Sequence, residues 1–246
     1  MAERLGKKRL DTIVTEKRLA ENIEKAQALI MAGLVLVDGS LITKAGTFVK
    51  EDAQISVKER SPYVGRGGIK LQGCLDYFKI DVNGLTAIDV GASTGGFTDC
   101  LLKKGAKKVF AIDVGKGLLD VKLRNDARVT VLEGRNIRHM RPEDMGEKAD
   151  IAAIDVSFIS LKLVLPVVKG LAVAGAYVLA LVKPQFEVEK HTVGKGGVVR
   201  DEAKQNKAVE GILQFASSIG YSVLGSVESP IRGAKGNREF WAVLRT

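Results

Sequence analysis

The sequence predicts an α/β protein: a doubly wound, mostly parallel sheet with helices on both faces, preceded by a small α+β domain. Three observations carry this expectation. From residue 69 onward, short apolar runs alternate with stretches of helical periodicity. One of those runs, Thr86-Ala-Ile-Asp-Val90, passes directly into the glycine turn Gly91-Ala-Ser-Thr-Gly95-Gly96. Residues 1–60 differ in character, with two helical stretches followed by short strands.

In chain order, Arg4 to Leu10 is basic and reads as a lead-in or first helical turn. Thr15–Ala20 and Ile23–Met31 follow at helical spacing, with Ala26, Leu29 and Ile30 as an apolar stripe and Gly33 as the stop. Leu34–Val37, the Asp38-Gly39 turn and Leu41-Ile42 read as strand, tight turn and strand, and Val49 and Ile55–Val57 add further short strands. Residues 61–68 read as a linker, because Pro62 and three glycines interrupt both periodicities. A helix over Ile69–Phe78 then opens the larger domain, residues 69–246. Seven strands are expected there: Thr86–Val90, Val109–Val114, Val129–Leu132, Ile151–Val156, Ala176–Val182, Ser222–Val227 and Phe240–Leu244. Helices are expected over Phe97–Lys104, Leu161–Gly170 and Glu202–Ile219.

With 246 residues, 46% of them apolar, the chain can bury one good core and carry a small extra module. Its net charge of +9 favours a polyanionic partner such as RNA. An aromatic content of 5% argues against a dense stacking platform. Cys74 and Cys100 have no metal-ligand spacing and no disulfide framework, which points to a reducing, cytoplasmic setting. The charged N-terminus is not followed by an apolar segment, so it is not a secretory signal. The most apolar stretch, Leu171–Val182, falls short of the roughly 20 residues that span a bilayer, and no membrane association is expected.

The glycine turn lets a ligand lie against bare backbone at the carboxyl ends of the strands. Its spacing is not the G-x-G-x-x-G of a dinucleotide site, and Asp89 puts a carboxylate beside it. A carboxylate there would repel a phosphate and suits a cationic, phosphate-free nucleoside such as S-adenosylmethionine (AdoMet); a merely structural turn is the alternative. Candidate cofactor-binding positions are therefore Asp89, Gly91, Ala92, Ser93, Gly95, Gly96 and Phe97. Asp113 ends the second strand, where a carboxylate grips ribose hydroxyls or caps the next turn. Asn136, beyond the third strand, could meet an adenine edge. Asp155 ends a buried strand and would face the same crevice as Gly91; such a carboxylate is costly without a partner or a task. Lys183 directly follows the neighbouring strand, and Pro184 then turns the chain out of regular structure.

At this point a resemblance becomes specific. Asp89-Val-Gly-Ala-Ser-Thr-Gly-Gly-Phe-Thr98, Asp155-Val-Ser-Phe158, Lys183-Pro-Gln-Phe-Glu187 and Arg238-Glu239 together resemble an FtsJ-type ribose 2′-O-methyltransferase domain. Lys25-Ala-Gln-Ala-Leu-Ile30, Gly33-Leu-Val-Leu-Val-Asp-Gly39, Lys44 and Gly46 resemble the RNA-binding domain of ribosomal protein S4. Fused in this order, the chain resembles the TlyA (hemolysin A) family end to end. The resemblance implies a Rossmann-like methyltransferase fold, AdoMet as cofactor, and ribosomal RNA or a ribosomal subunit as partner. It also implies a catalytic Lys-Asp-Lys-Glu tetrad at Lys70, Asp155, Lys183 and Glu239, with Asp155 also near the cofactor. The family's proline before the glycine pair is replaced here by Thr94, which alters the stiffness of the turn.

These residue types suit the reaction. A ribose hydroxyl is a poor acid, so its oxygen must be held in line with the methyl while its proton leaves. Lys183, held by Asp155 and Glu239, can orient that oxygen as a base or as an electrostatic guide, and a nearby Lys70 would favour a neutral amine. The sulfonium is itself the electrophile, so no metal is expected. Amino-group methylation would show Asn/Asp-Pro-Pro-aromatic where this chain has Asp155-Val-Ser-Phe, and neither cysteine sits at a strand tip for carbon-5 chemistry. His139 and His191 read as loop or surface residues. Gln185–Arg200 reads as a surface loop or a lid. The basic groups at Lys103, Lys104, Lys107 and Lys108, and at Arg135, Arg138 and Arg141, are solvated faces or an RNA track. Two other classes stand beside the enzyme: an RNA-binding or ribosome-assembly protein with an inactive methyltransferase fold, and a membrane-active cytolysin.

Overall fold

The computed structural model describes residues 6–58, 61–189, 192–194, 196–233 and 235–246. The chain forms two compact units, Met1–Arg60 and Ser61–Thr246. Lys190, His191 and Lys195 of the expected loop lie outside the described residues.

In the first unit, β1 (Lys7–Arg9) pairs antiparallel with β4 (Phe48–Lys50), and β2 (Val35–Val37) is flanked by β3 (Ser40–Leu41) and β5 (Ile55–Val57). Helices α1 (Leu10–Glu16) and α2 (Ile23–Met31) pack on a core of Leu10, Val14, Ala26, Ile30 and Val35. Two expectations are corrected here. Lys7–Arg9 is a strand rather than a lead-in, and the first helix lies over 10–16 rather than 15–20. Leu10, Ile13 and Val14 form a helical stripe, but β-branched residues mask it in the sequence. Arg18, at φ 56°, breaks the stretch where the helix was expected, and Asn22 caps α2 by accepting from the Lys25 N–H at 2.8 Å.

The second unit is built on α3 (Gly67–Phe78), β6 (Thr86–Val90), α4 (Gly96–Lys103), β7 (Lys108–Asp113), α5 (Val121–Arg124), β8 (Val129–Glu133), β9 (Ala149–Ile154), α6 (Leu165–Leu171), β10 (Ala172–Val182), α7 (Pro184–Glu187), α8 (Glu202–Ser218), β11 (Ser222–Glu228) and β12 (Phe240–Arg245). Seven strands form one sheet in the order β11-β12-β10-β9-β6-β7-β8. Neighbours from β10 to β8 are parallel, and β12 runs antiparallel between β10 and β11. Residues 61–68 fall within this unit, with Tyr63 buried and Gly67 already in α3. Pro184 does not end regular structure: it occupies the first turn of α7, where its missing N–H is no loss.

The chain winds outward from β6 through β7 to β8 and then returns to place β9 beside β6. That reversal leaves a crevice at the carboxyl ends of β6 and β9. Along the strands, side chains alternate between two cores. Ile88, Phe110, Ile154, Val178 and Val182 face α6 and α8, whereas Ala87, Val109, Ile151, Leu181 and Trp241 face α3 and α4. Phe110 is fully buried, so Phe110→Ala should lower unfolding free energy by about 3–5 kcal/mol in urea titration.

Asp89 shares the α3/α4 side and has no solvent exposure. Its Oδ2 accepts from the Thr98 N–H (2.8 Å) and hydroxyl (2.7 Å) in the first turn of α4. Burial pushes this carboxyl up to about 7, against the pull of the two Thr98 bonds. Between about pH 4 and 7 the folded protein therefore holds a proton that the unfolded chain has released, and this contribution to stability is lost as pH rises through the window. Asp89→Asn should flatten the pH dependence of the melting midpoint there; a slope equal to that of the parent protein would refute the buried, protonated carboxyl.

Candidate active site

The strand alternation carries past the strand ends and assembles a charged cluster. On β9, β10 and β12, the residues facing α3 include Ile151 and Ala153, Leu179 and Leu181, and Trp241 and Val243. One further step of the same period gives Asp155, Lys183 and Glu239, and Lys70 reaches them from the buried face of α3. Lys70 Nζ lies 2.6 Å from Glu239 Oε2 and 3.9 Å from Asp155 Oδ2. Lys183 Nζ lies 2.5 Å from Asp155 Oδ1 and donates to Ser157 Oγ at 2.9 Å. Both lysines are 8% exposed and Glu239 is 4% exposed, so two ammonium groups and two carboxylates compensate one another in a largely dry floor. A cavity of about 390 Å³ opens above Lys70, Lys183 and Glu239, walled by Phe158, Phe186 and Lys235.

A second cavity of about 410 Å³ follows the crevice between β6 and β9, lined by Gly91, Ser93, Asp113, Leu118, Asn136 and Asp155. Its volume is in the range of small-ligand sites. Ser157 and Phe158 belong to the walls of both cavities. Gly91 is required here: at φ +85°, a Cβ would sit 2.4 Å from the Asp155 carbonyl oxygen. Asp113 Oδ2 accepts from the Ser93 N–H (2.8 Å) and Oδ1 from the Gly115 N–H (2.7 Å), which ties the two turns at the cavity rim together. Asn136 Oδ1 accepts from the Arg138 N–H at 3.1 Å, which leaves its amide nitrogen for the cavity. Glu133, which sequence reasoning passed over, holds the rim loop through the N–H groups of Gly117, Leu118 and Leu119.

The structure separates the expected cofactor positions into groups. Gly91, Ser93, Asp113, Asn136 and Asp155 line the larger crevice. Ala92, Gly96 and Phe97 line a smaller hollow of about 130 Å³ against Gly65–Gly67. Asp89 and Gly95 line neither: Asp89 caps α4, and a Cβ on Gly95 would lie 2.3 Å from Leu123. Asp113 and Asp155, rather than Asp89, present carboxylates to the crevice. Sequence reasoning also missed Ser157 and Phe158. Phe158 is 90% exposed at φ 64° and packs 5.1 Å from Phe186, a placement that no local propensity signals. Of the basic groups, Lys103, Lys104 and Lys108 pair with Asp99, Asp76 and Glu147, while Arg135 and Arg138 reach the larger cavity.

Comparison with known proteins agrees with this geometry. The chain matches the FtsJ-like methyltransferase family over residues 63–246 and the S4 domain over residues 8–55. It is 44% identical to the 16S/23S rRNA (cytidine-2′-O)-methyltransferase TlyA of Mycobacterium tuberculosis, over 97% of this chain and 90% of the relative. It is 40% identical to hemolysin A of Brachyspira hyodysenteriae, over 95% of this chain and 98% of the relative. A solved Streptococcus thermophilus protein that bears the name of a hemolysin is 42% identical and superposes with a TM-score of 0.76, covering 98% of this chain and 89% of that one. Among the described residues, no helix is long and apolar enough to cross a membrane. The chain belongs to the FtsJ-like methyltransferase family and, with its S4 domain, to the branch that includes TlyA and hemolysin A.

Proposed function

We propose that this protein transfers a methyl group from AdoMet to a ribose 2′-hydroxyl of ribosomal RNA. The observation that carries the reading is the Lys70–Asp155–Lys183–Glu239 cluster, which floors one cavity and shares Asp155 with a ligand-sized crevice next to it. The larger crevice fits the cofactor. Bare backbone at Gly91 admits the close approach of a ligand, Asp113 has lone pairs left for ribose hydroxyls, and Ile112, Val114 and Leu118 offer apolar surface for a base. Asp155 and Asp113 would hold a cationic ligand, and the Asn136 amide would meet the adenine edge.

When bound, AdoMet supplies an electrophilic methyl group on a sulfonium. The protein's task is then to place the acceptor oxygen and take its proton. Lys183, anchored by Asp155, faces the acceptor cavity; once its ammonium has released a proton to solvent, the amine receives the proton of the 2′-hydroxyl as the oxygen attacks. Lys70, anchored by Glu239, stabilises the negative charge that develops on that oxygen. The first unit, matched to the S4 domain, would engage structured RNA, and the net charge of +9 suits that partner. The TlyA relative bears the name of a 16S/23S rRNA methyltransferase, which supports ribosomal RNA as the acceptor.

Incubation with labelled AdoMet and ribosomal subunits should transfer label to RNA, at a ribose that resists alkaline cleavage. Lys183→Ala should slow transfer by about 10²–10⁴-fold while AdoMet still binds in calorimetry. Label on a base, or full transfer by the Lys183→Ala protein, would overturn the reading.

A further inference from the structure

Lys183 makes two polar contacts, and the second belongs to no part of the four-residue cluster. Its Nζ lies 2.5 Å from Asp155 Oδ1 and 2.9 Å from Ser157 Oγ, with the Phe186 ring 6.0 Å away. Ser157 stands two residues past Asp155, exposed, in the wall shared by the two cavities. Among the described residues its hydroxyl has no other partner: it caps no helix and braces no backbone group. A serine kept only to shape a turn would bond to nearby backbone, as Ser160 does when it accepts from the Lys162 N–H at 3.2 Å.

The number of contacts has a chemical meaning. An amine able to accept a proton carries two N–H bonds and one lone pair. With one acceptor alone, rotation about Cε–Nζ sends the lone pair in several directions. With Asp155 holding the amine by its charge and Ser157 taking one N–H, rotation is restricted and the directions open to the lone pair narrow.

We propose that Ser157 is a positioning residue for Lys183, fixing the amine so that its lone pair meets the ribose hydroxyl in the acceptor cavity. The inference rests on the proposed 2′-O-methylation. In that step the 2′-oxygen forms its bond to the methyl carbon, and the carbon–sulfur bond breaks with its pair going to sulfur. The hydroxyl proton passes to the Lys183 lone pair, leaving an ammonium that keeps its ion pair with Asp155 and its hydrogen bond to Ser157. Ser157 itself neither gains nor loses a proton.

The test compares Ser157→Ala and Ser157→Thr in the full-length protein. Ser157→Ala should lower kcat by about ten- to a hundredfold, with KM for AdoMet and RNA within about twofold of the parent protein. Ser157→Thr, which keeps the Oγ, should restore most of the rate. A second readout does not depend on turnover: with lysine side chains labelled at Nζ, the Lys183 resonance, identified by its loss in Lys183→Arg, should be protected from solvent exchange in the parent and Thr proteins and lose that protection in the Ala protein. An unchanged kcat in Ser157→Ala, a loss confined to KM, no rescue by threonine, or an Nζ resonance indifferent to Ser157 would each overturn the proposal. If the parent protein transfers no methyl group to RNA, the proposed function fails, and the Nζ resonance still decides whether Ser157 holds the amine.

Discussion

Two lysines in this protein reach into a site where neither could stand alone. Lys70 and Lys183 are each 8% exposed, and an unpaired ammonium at that depth would cost several kcal/mol. Asp155 lies against both, and Glu239 completes the charge balance from the opposite strand end. This compensation constrains the architecture around it. β9 must lie between β6 and β10, β12 must run antiparallel beside β10, and α3 must pack on the sheet face that carries Leu181 and Trp241. Only that order brings residues 70, 155, 183 and 239 to one place.

Three aspartates near the ends of three parallel strands show how environment assigns different tasks to one side chain. Asp89 is fully buried, caps α4 and is pushed up to about 7 by desolvation. Asp113 faces the crevice with each oxygen accepting one backbone N–H, so its remaining lone pairs can serve a ligand. Asp155 is half-buried and paired with two ammonium groups. What separates them is position along the strand: Asp89 lies inside β6 against α4, whereas Asp113 and Asp155 stand at the strand ends and meet open space.

Much of this was legible in the residues. The seven strands and the doubly wound, mostly parallel class of the sheet follow from the alternation of apolar runs with helical stretches, while the strand order came from the structure. Asp155 and Lys183 stood out as charges at strand ends, whereas Lys70 and Glu239 were named only through the resemblance to FtsJ-type domains. Errors arose where local signals were mixed. α1 was hidden by its β-branched residues, and α5 and α7, of four residues each, are too short to show a period. The proline after Lys183 looked like a terminator and proved to be a helix start, because proline suits the first turn of a helix and no later one.

By itself, the sequence determined the class of fold, the glycine turn at 91 and the charges that follow two strands at Asp155 and Lys183. Those features depend on near neighbours in the chain: a period, a turn, a residue after a strand. Only the tertiary structure decided that Asp89 turns inward while Asp113 and Asp155 line the crevice, and that Ser157 accepts a hydrogen bond from Lys183. Such facts depend on how far along its strand a side chain stands and on what lies about 3 Å away from it. The partners of Asp89, Asp155 and Lys183 come from 9 to 28 or more residues along the chain, or from a different strand end altogether, and folding alone brings them within reach.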